Sequence, residues 1–340
     1  MKRRLMWIGV SIIALVGMLF LAFRLSPYPA VWLVRYAFEK EAVRVDAALE
    51  EQVPENIRSI RNIQYDPTDP NSLLDLYYSE DARALTSKLP VIVWTHGGGL
   101  VSGSKNHLSN YCKLLASRGF VAISIDYTIA PEAKYPTPIR QLNTALAFIS
   151  AKADQFSVDS TKFILAGDSG GSMITAATAN LITSPSYAAI TNVSPGLHPE
   201  QLKAVLLYCG IYEVDNLNSE GAFASFLHTV TWAYFGEKDI SNDAYAKTAS
   251  VLHFLTDSFP PAFISAGNKD PLLPQSKRFA EKLSALDVKL DTLFFPESYK
   301  PALGHEYQFT FDKDGKRAFE QSIQFINQLI GRNTSEQPEP

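Results

Sequence analysis

From residue 90 onward the chain repeats one pattern, a short continuous apolar run followed by an amphipathic stretch with helical spacing. The runs fall at 91–94, 121–125, 163–166, 205–208, 262–265 and 292–295. They are rich in Val, Ile, Leu and Phe and lack the polar alternation of a half-exposed strand, as expected of parallel strands covered on both faces. Helices are expected between them, including 108–118, 139–156, 170–182 and 275–286. Repeated strand–helix order predicts an α/β fold, with a mostly parallel central sheet and helices on both faces. Upstream, segments 60–65 and 73–78 flank the turn-rich 66–71 and predict an antiparallel hairpin. In sheets of this kind functional groups collect in the loops at the carboxyl ends of the strands. The residues after each apolar run are therefore the ones to inspect.

After 163–166 the chain reads Gly167-Asp168-Ser169-Gly170-Gly171 and then an Ala-rich helical stretch. This is G-x-S-x-G between a strand and a helix, the context in which the motif marks a nucleophile elbow. A turn that sharp needs small neighbours, and it lifts the Ser169 hydroxyl above the sheet with the positive end of a helix aimed at it. A serine hydroxyl is a weak nucleophile at neutral pH and needs a base oriented by an acid, in this fold in the chain order Ser, Asp or Glu, His. Asp270 follows run 262–265 in Gly267-Asn268-Lys269-Asp270-Pro271-Leu272, and His305 follows run 292–295 in Gly304-His305-Glu306. His305 is the only histidine downstream of Asp270; His107, His198, His228 and His253 keep the ordinary reading of surface or core residues. After 91–94 comes His96-Gly97-Gly98-Gly99, a pattern that supplies backbone N–H groups to an oxyanion. A further donor is expected from Gly170, and each such donor contributes about 3–4 kcal/mol to the transition state. His96 and Gly97 read as supports of that loop and not as a second base.

Taken with Gly103, Asp126-Tyr127, Ala130-Pro131-Glu132, Tyr135-Pro136 and Asp270-Pro271-Leu272, these motifs resemble the hormone-sensitive-lipase-like branch of the α/β-hydrolases. That branch includes bacterial carboxylesterases and the membrane-anchored arylacetamide deacetylases. The resemblance runs from about residue 90 to His305. It implies an α/β-hydrolase fold, a Ser169–Asp270–His305 triad, and Gly98, Gly99 and Gly170 as oxyanion donors. It also implies that the N-terminal helices and the insertion at 213–258 form a helical cap. Two features depart from the family pattern: Ser172 follows Gly170-Gly171, and Arg140-Gln141 replace a frequent acidic pair; Tyr307, by contrast, supplies the usual aromatic after the histidine.

The N-terminus has a different character. Residues 5–23 carry no charge and approach the ~20 residues that cross a bilayer as a helix. Lys2, Arg3 and Arg4 precede the stretch and Arg24 alone follows at once, which predicts a cytoplasmic N-terminus and a catalytic body across the membrane. A cleaved signal peptide is the competing expectation, although the run is long and ends without an A-x-A-like site. The expected division is a signal-anchor at 1–25, a helical cap or linker segment at 26–58, a catalytic domain at 59–332 with the cap insertion at 213–258, and a flexible tail at 333–340.

A net charge of −4 without Lys/Arg blocks leaves no nucleic-acid footprint. Cys112 and Cys209 match no metal spacing and are expected to be free and buried, so neither a metal nor a cofactor is anticipated. The expected activity is hydrolysis of a small-molecule carboxylic ester through an acyl-enzyme. Two alternatives stay open: a peptidase on the same fold, and a non-catalytic small-molecule receptor, which retention of His305 argues against.

Overall fold

A computed structural model of the protein describes residues 2–81, 88–217 and 221–332. The expected tail at 333–340 lies outside the described residues. Among the described residues, eight strands form one sheet: β1 (Ile57–Gln64), β2 (Leu73–Ser79), β3 (Leu89–Thr95), β4 (Val121–Ile125), β5 (Val158–Asp168), β6 (Leu202–Tyr208), β7 (Ala262–Ala266) and β8 (Leu290–Phe294). Their order is β1-β2-β4-β3-β5-β6-β7-β8. The β1–β2 and β2–β4 pairs are antiparallel, whereas every pair from β4 across to β8 is parallel. All six apolar runs are strands, and the hairpin is present with a register shift between Ile60 and Ile63.

Among the described residues, eight helices of nine or more residues accompany the sheet: α1 (Lys2–Leu25), α2 (Tyr28–Ala48), α3 (Ser109–Ser117), α4 (Thr137–Ala151), α5 (Gly170–Thr183), α6 (Gly221–Phe235), α7 (Leu273–Ala285) and α8 (Lys313–Ile330). The continuity of the apolar runs follows from burial on both sides. Within β3, Val91 and Val93 join the core shared with Ile139, Leu142 and Leu146 of α4, while Ile92 and Trp94 join the core shared with Tyr111 of α3 and Ile323 of α8. Helix α8, which no expectation above covered, follows the same logic. Its Phe319, Ile323 and Ile326 are buried at helical spacing, and the Asp312 carboxylate caps its start by accepting from the Asp314 and Gly315 N–H groups.

Topology places the site. From β3 the chain leaves toward β4, and from β5 it leaves toward β6 on the other side. The loops after these two neighbouring strands diverge, which opens a crevice at their carboxyl ends. Register brings the motifs level: Thr95 pairs with Gly167, so Gly97 and Ser169 each lie two residues beyond a matched pair.

The helical expectation for residues after Pro27 is realised in α2, and α1 contains a span, Arg3–Leu25, long and apolar enough to cross a membrane, with a mean hydropathy of 2.5. Within the 213–258 segment the structure has α6 and two short 3₁₀ turns at Ala246–Ala249 and Val251–Phe254. Both cysteines are free and buried.

Candidate active site

At the end of β5 the backbone turns so sharply that Ser169 adopts φ 49° and ψ −119°, a left-handed conformation costly for a non-glycine residue. Close packing explains its glycine neighbours. A Cβ on Gly171 would stand 2.0 Å from the Thr95 carbonyl oxygen, and one on Gly167 would stand 2.6 Å from the Gly171 backbone. The turn is braced by hydrogen bonds. The Ser169 N–H donates to the Tyr208 carbonyl at 2.9 Å, tying the elbow to β6. Ser172 completes the brace, its hydroxyl donating to the Gly167 carbonyl at 2.6 Å and accepting from the Tyr208 N–H at 3.0 Å. A departure from the family pattern is thus a structural pin.

The three residues expected to act together are brought together. Ser169 Oγ lies 2.9 Å from His305 Nε2, and His305 Nδ1 lies 2.9 Å from Asp270 Oδ2. An ionised carboxylate can only accept, so Nδ1 carries the proton and Nε2 is left to accept from the serine hydroxyl. The second Asp270 oxygen accepts from the Leu272 N–H at 2.7 Å, which holds the buried carboxylate still.

Two loops far apart in sequence must be registered to achieve this, and Asn268 does it. Its Oδ1 accepts from the Leu303 N–H at 2.8 Å and its Nδ2 donates to the Pro296 and Tyr299 carbonyls at 3.3 and 3.2 Å. The Lys269 N–H adds a bond to the Leu303 carbonyl at 2.9 Å. Asn268 was quoted above only as part of a segment; its two-away spacing from Asp270 was the available signal.

The His305 environment favours the imidazolium. Burial opposes the charged ring, but the hydrogen bond to the Asp270 carboxylate and its charge favour it, and the pKa stands above the usual histidine value. The Cys209 thiol is itself pushed up to about 12 by burial and is neutral at pH 7, which leaves Asp270 as the charged partner.

His96 lies in the loop directly after β3. It is buried, it stacks on Tyr127 with centroids 4.3 Å apart, and its Nδ1 lies 2.9 Å from the Gly97 carbonyl. Burial lowers its pKa to about 4, so it stays neutral beside the site. Gly98 and Gly99 both have positive φ, 92° and 61°, and Gly170 opens α5 directly after Ser169. The N–H groups of these three glycines donate to no protein acceptor among the described residues. Packing against Gly99 is Phe226 of α6, whose ring would be 2.6 Å from a Cβ placed there. Phe226 also meets Phe38 of α2 at 5.6 Å, so α2 and α6 join beside Gly99.

A carboxyl pair, buried Asp168 and half-buried Glu306, links all three loops, and no motif reading singled it out. Asp168 Oδ1 accepts from Trp94 Nε1 at 2.7 Å, and the same carboxyl bonds the Gly97 N–H and the Glu306 side chain. Burial first, and the Glu306 charge second, raise the Asp168 pKa well above the carboxylate range. Glu306 also approaches the histidine, its Oε1 lying 3.8 Å from His305 Nε2. A raised pKa at Asp168 lessens the negative charge placed beside Gly97. Glu306→Ala is expected to lower kcat about tenfold with little change in KM, from loss of one charged hydrogen bond. Glu306→Gln, which keeps a polar partner for Asp168, should recover most of it. Steady-state kinetics decide: a glutamine variant as poor as alanine would rule out the positioning role.

Of the other histidines, His107 pairs with Glu39 at 3.2 Å and His253 with Asp215 at 3.2 Å, both away from Ser169.

Comparison with known proteins places this geometry in a family. The BD-FAE family model matches residues 74–283, more than half of the chain. Esterase LipC of Mycobacterium tuberculosis is 29% identical over 224 residues, covering 64% of this chain and 53% of that protein, so the chain spans about half the length of that relative. An acetyl esterase of Salmonella schwarzengrund is 26% identical over 243 residues, covering 67% of this chain and 71% of that protein. Among solved structures, esterase B from Lactobacillus Rhamnosis superposes with a TM-score of 0.76 at 23% identity, covering 89% of this chain and 96% of that one. An esterase of Pyrobaculum calidifontis gives 0.68 at 22% identity over 88% and 94%. The family model covers more than half of the chain, so the chain belongs to the BD-FAE family, and its esterase relatives agree with the resemblance to hormone-sensitive-lipase-like α/β-hydrolases.

Proposed function

We propose that the protein hydrolyses carboxylic esters through an acyl-enzyme formed on Ser169. The observation that carries this is the relay Ser169–His305–Asp270, closed at 2.9 and 2.9 Å beside glycine N–H groups without protein acceptors. Ser169 Oγ attacks the ester carbonyl while its proton passes to His305 Nε2, and Asp270 stabilises the imidazolium. Charge on the former carbonyl oxygen is met by the N–H groups of Gly98, Gly99 and Gly170. Collapse expels the alcohol, which takes the proton from Nε2. Water, deprotonated by the same nitrogen, then releases the acid and restores Ser169.

Phe226 and Val230 of α6 close on Gly99 and favour a short acyl group, and the acetyl esterases among the relatives support that choice. Turnover of p-nitrophenyl acetate, butyrate and octanoate, measured beside an aminoacyl p-nitroanilide, tests the reading. Fast cleavage of the two shorter esters with negligible anilide cleavage is expected. Anilide turnover equal to that of the esters would move the assignment to a peptidase.

The same reading makes α1 a bilayer anchor with the N-terminus in the cytoplasm, supported by Lys2, Arg3 and Arg4 ahead of the apolar span. Protease added to intact cells should then digest the catalytic body; its full protection would reverse the orientation. Helices α2 and α6 act as the cap over the acyl site.

A further inference from the structure

Apolar exposure on this protein is concentrated in one place. Outside α1, nine large apolar side chains are exposed among the described residues, and six of them lie on α2: Tyr28, Trp32, Leu33, Tyr36, Phe38 and Val43. At about 100° per residue Trp32, Leu33, Tyr36 and Val43 fall within an arc of roughly 100°, a single face. The other side of α2 is already docked. Val31 is fully buried, and the Arg35 guanidinium donates to the Val101 and Ala130 carbonyls at 2.7 and 2.9 Å while pairing with Glu132. A helix fixed on one side would ordinarily turn polar groups to water on the other. This one presents Trp32 at 68% and Tyr36 at 78% exposure.

We propose that this face lies in the interfacial layer of the bilayer that α1 enters. The inference rests on the reading of α1 as an anchor, and continuity is its main support. Only Ser26 and Pro27 separate the end of α1 from the start of α2, so the exposed rings begin where the apolar span stops. Trp and Tyr are the residues that favour this depth, with an apolar ring and a polar edge, and Lys40 on the same helix adds a cation for lipid phosphates, whereas Arg44 is paired with Glu41. The catalytic body is also held close to the anchor. Lys238 Nζ donates to the Arg24 carbonyl at 2.5 Å and stands 4.3 Å above the Trp232 ring, which ties the region after α6 to the last turn of α1. Through Phe38 and Phe226 the docked helix bears on the cap over Gly99, so an ester dissolved in the bilayer would meet the acyl site without crossing bulk water.

The four tryptophans, Trp7, Trp32, Trp94 and Trp232, make the test direct. Full-length protein in phosphatidylcholine–phosphatidylglycerol nanodiscs is prepared as two double variants. Trp7→Phe with Trp232→Phe leaves Trp32 beside the buried Trp94, and Trp32→Phe with Trp232→Phe leaves Trp7 beside it. Retained turnover of p-nitrophenyl acetate shows that each is folded. Lipids brominated high on the acyl chain should quench Trp32 to an extent within about twofold of Trp7. If Trp7 is quenched and Trp32 is not, the anchor stands and the docking proposal is wrong. An unquenched yet blue-shifted Trp32 overturns it in favour of a protein cover, such as a second copy of the chain. If neither is quenched, the anchor reading fails and takes the docking proposal with it.

Discussion

Replacing Ser169 by Ala should lower kcat for p-nitrophenyl acetate by roughly 10⁶-fold and abolish labelling by a fluorophosphonate. Only one atom is lost, the Oγ that lies 2.9 Å from His305 Nε2. What remains is the oxyanion loop and the binding of substrate, which in a triad hydrolase leave a residual acceleration of about 10³–10⁴ over water. The substitution should cost little stability. Alanine keeps the same backbone at φ 49°, the elbow is braced by the Ser169 N–H and by Ser172, and neither brace uses the lost hydroxyl. Unchanged melting with vanished turnover is therefore the expected pair of results. Labelling that survives in Ser169→Ala would remove Ser169 as the nucleophile.

Asp270→Asn should cost about 10⁴-fold in kcat at neutral pH. The amide can donate where the carboxylate could only accept, so it stabilises the tautomer with its proton on Nε2, which faces Ser169 and can no longer take a proton from it. The pH profile carries a second signature. The raised pKa means that His305 stays protonated, and so unable to act as base, to a pH above the ~6.5 of an unperturbed histidine. The acid limb of kcat/KM in the wild type is thus expected above that value, with activity rising as pH rises through it. Asp270→Asn removes the charge that raises the pKa, so its limb should move to lower pH even as the plateau falls. A limb that stays in place would mean that Asp270 does not set the protonation of His305.

Much of the site was legible because its chemistry is local to short stretches. The elbow needs small residues on both sides of Ser169, the oxyanion loop needs glycines, and strand–helix alternation told which ends of which strands to inspect. The residues that hold these parts in place are less visible. Asn268, Ser172 and Glu306 act through bonds to carbonyls or carboxyls many residues away, and a lone Asn, Ser or Glu carries no signal of that in its own neighbourhood. Glu306 is the clearest instance, since its partner Asp168 belongs to the elbow motif and only the approach of the histidine loop makes the two a pair. Helix α8 went unanticipated for a related reason: it follows the last strand, where the alternating rhythm no longer predicts what comes next.

The linear sequence by itself determined the α/β class, the strands, the strand ends at which Ser169, Asp270 and His305 stand, and the apolar N-terminal span, because periodicity and turn chemistry act over a few residues. Tertiary structure alone decided the rest. The crossing of the chain from β4 past β3 to β5 opened the crevice, and strand register set Gly97 level with Ser169. Docking of α2 through Val31 and Arg35 left its aromatic face outward, a fact that no hydrophobic pattern can assign until one side of the helix is covered.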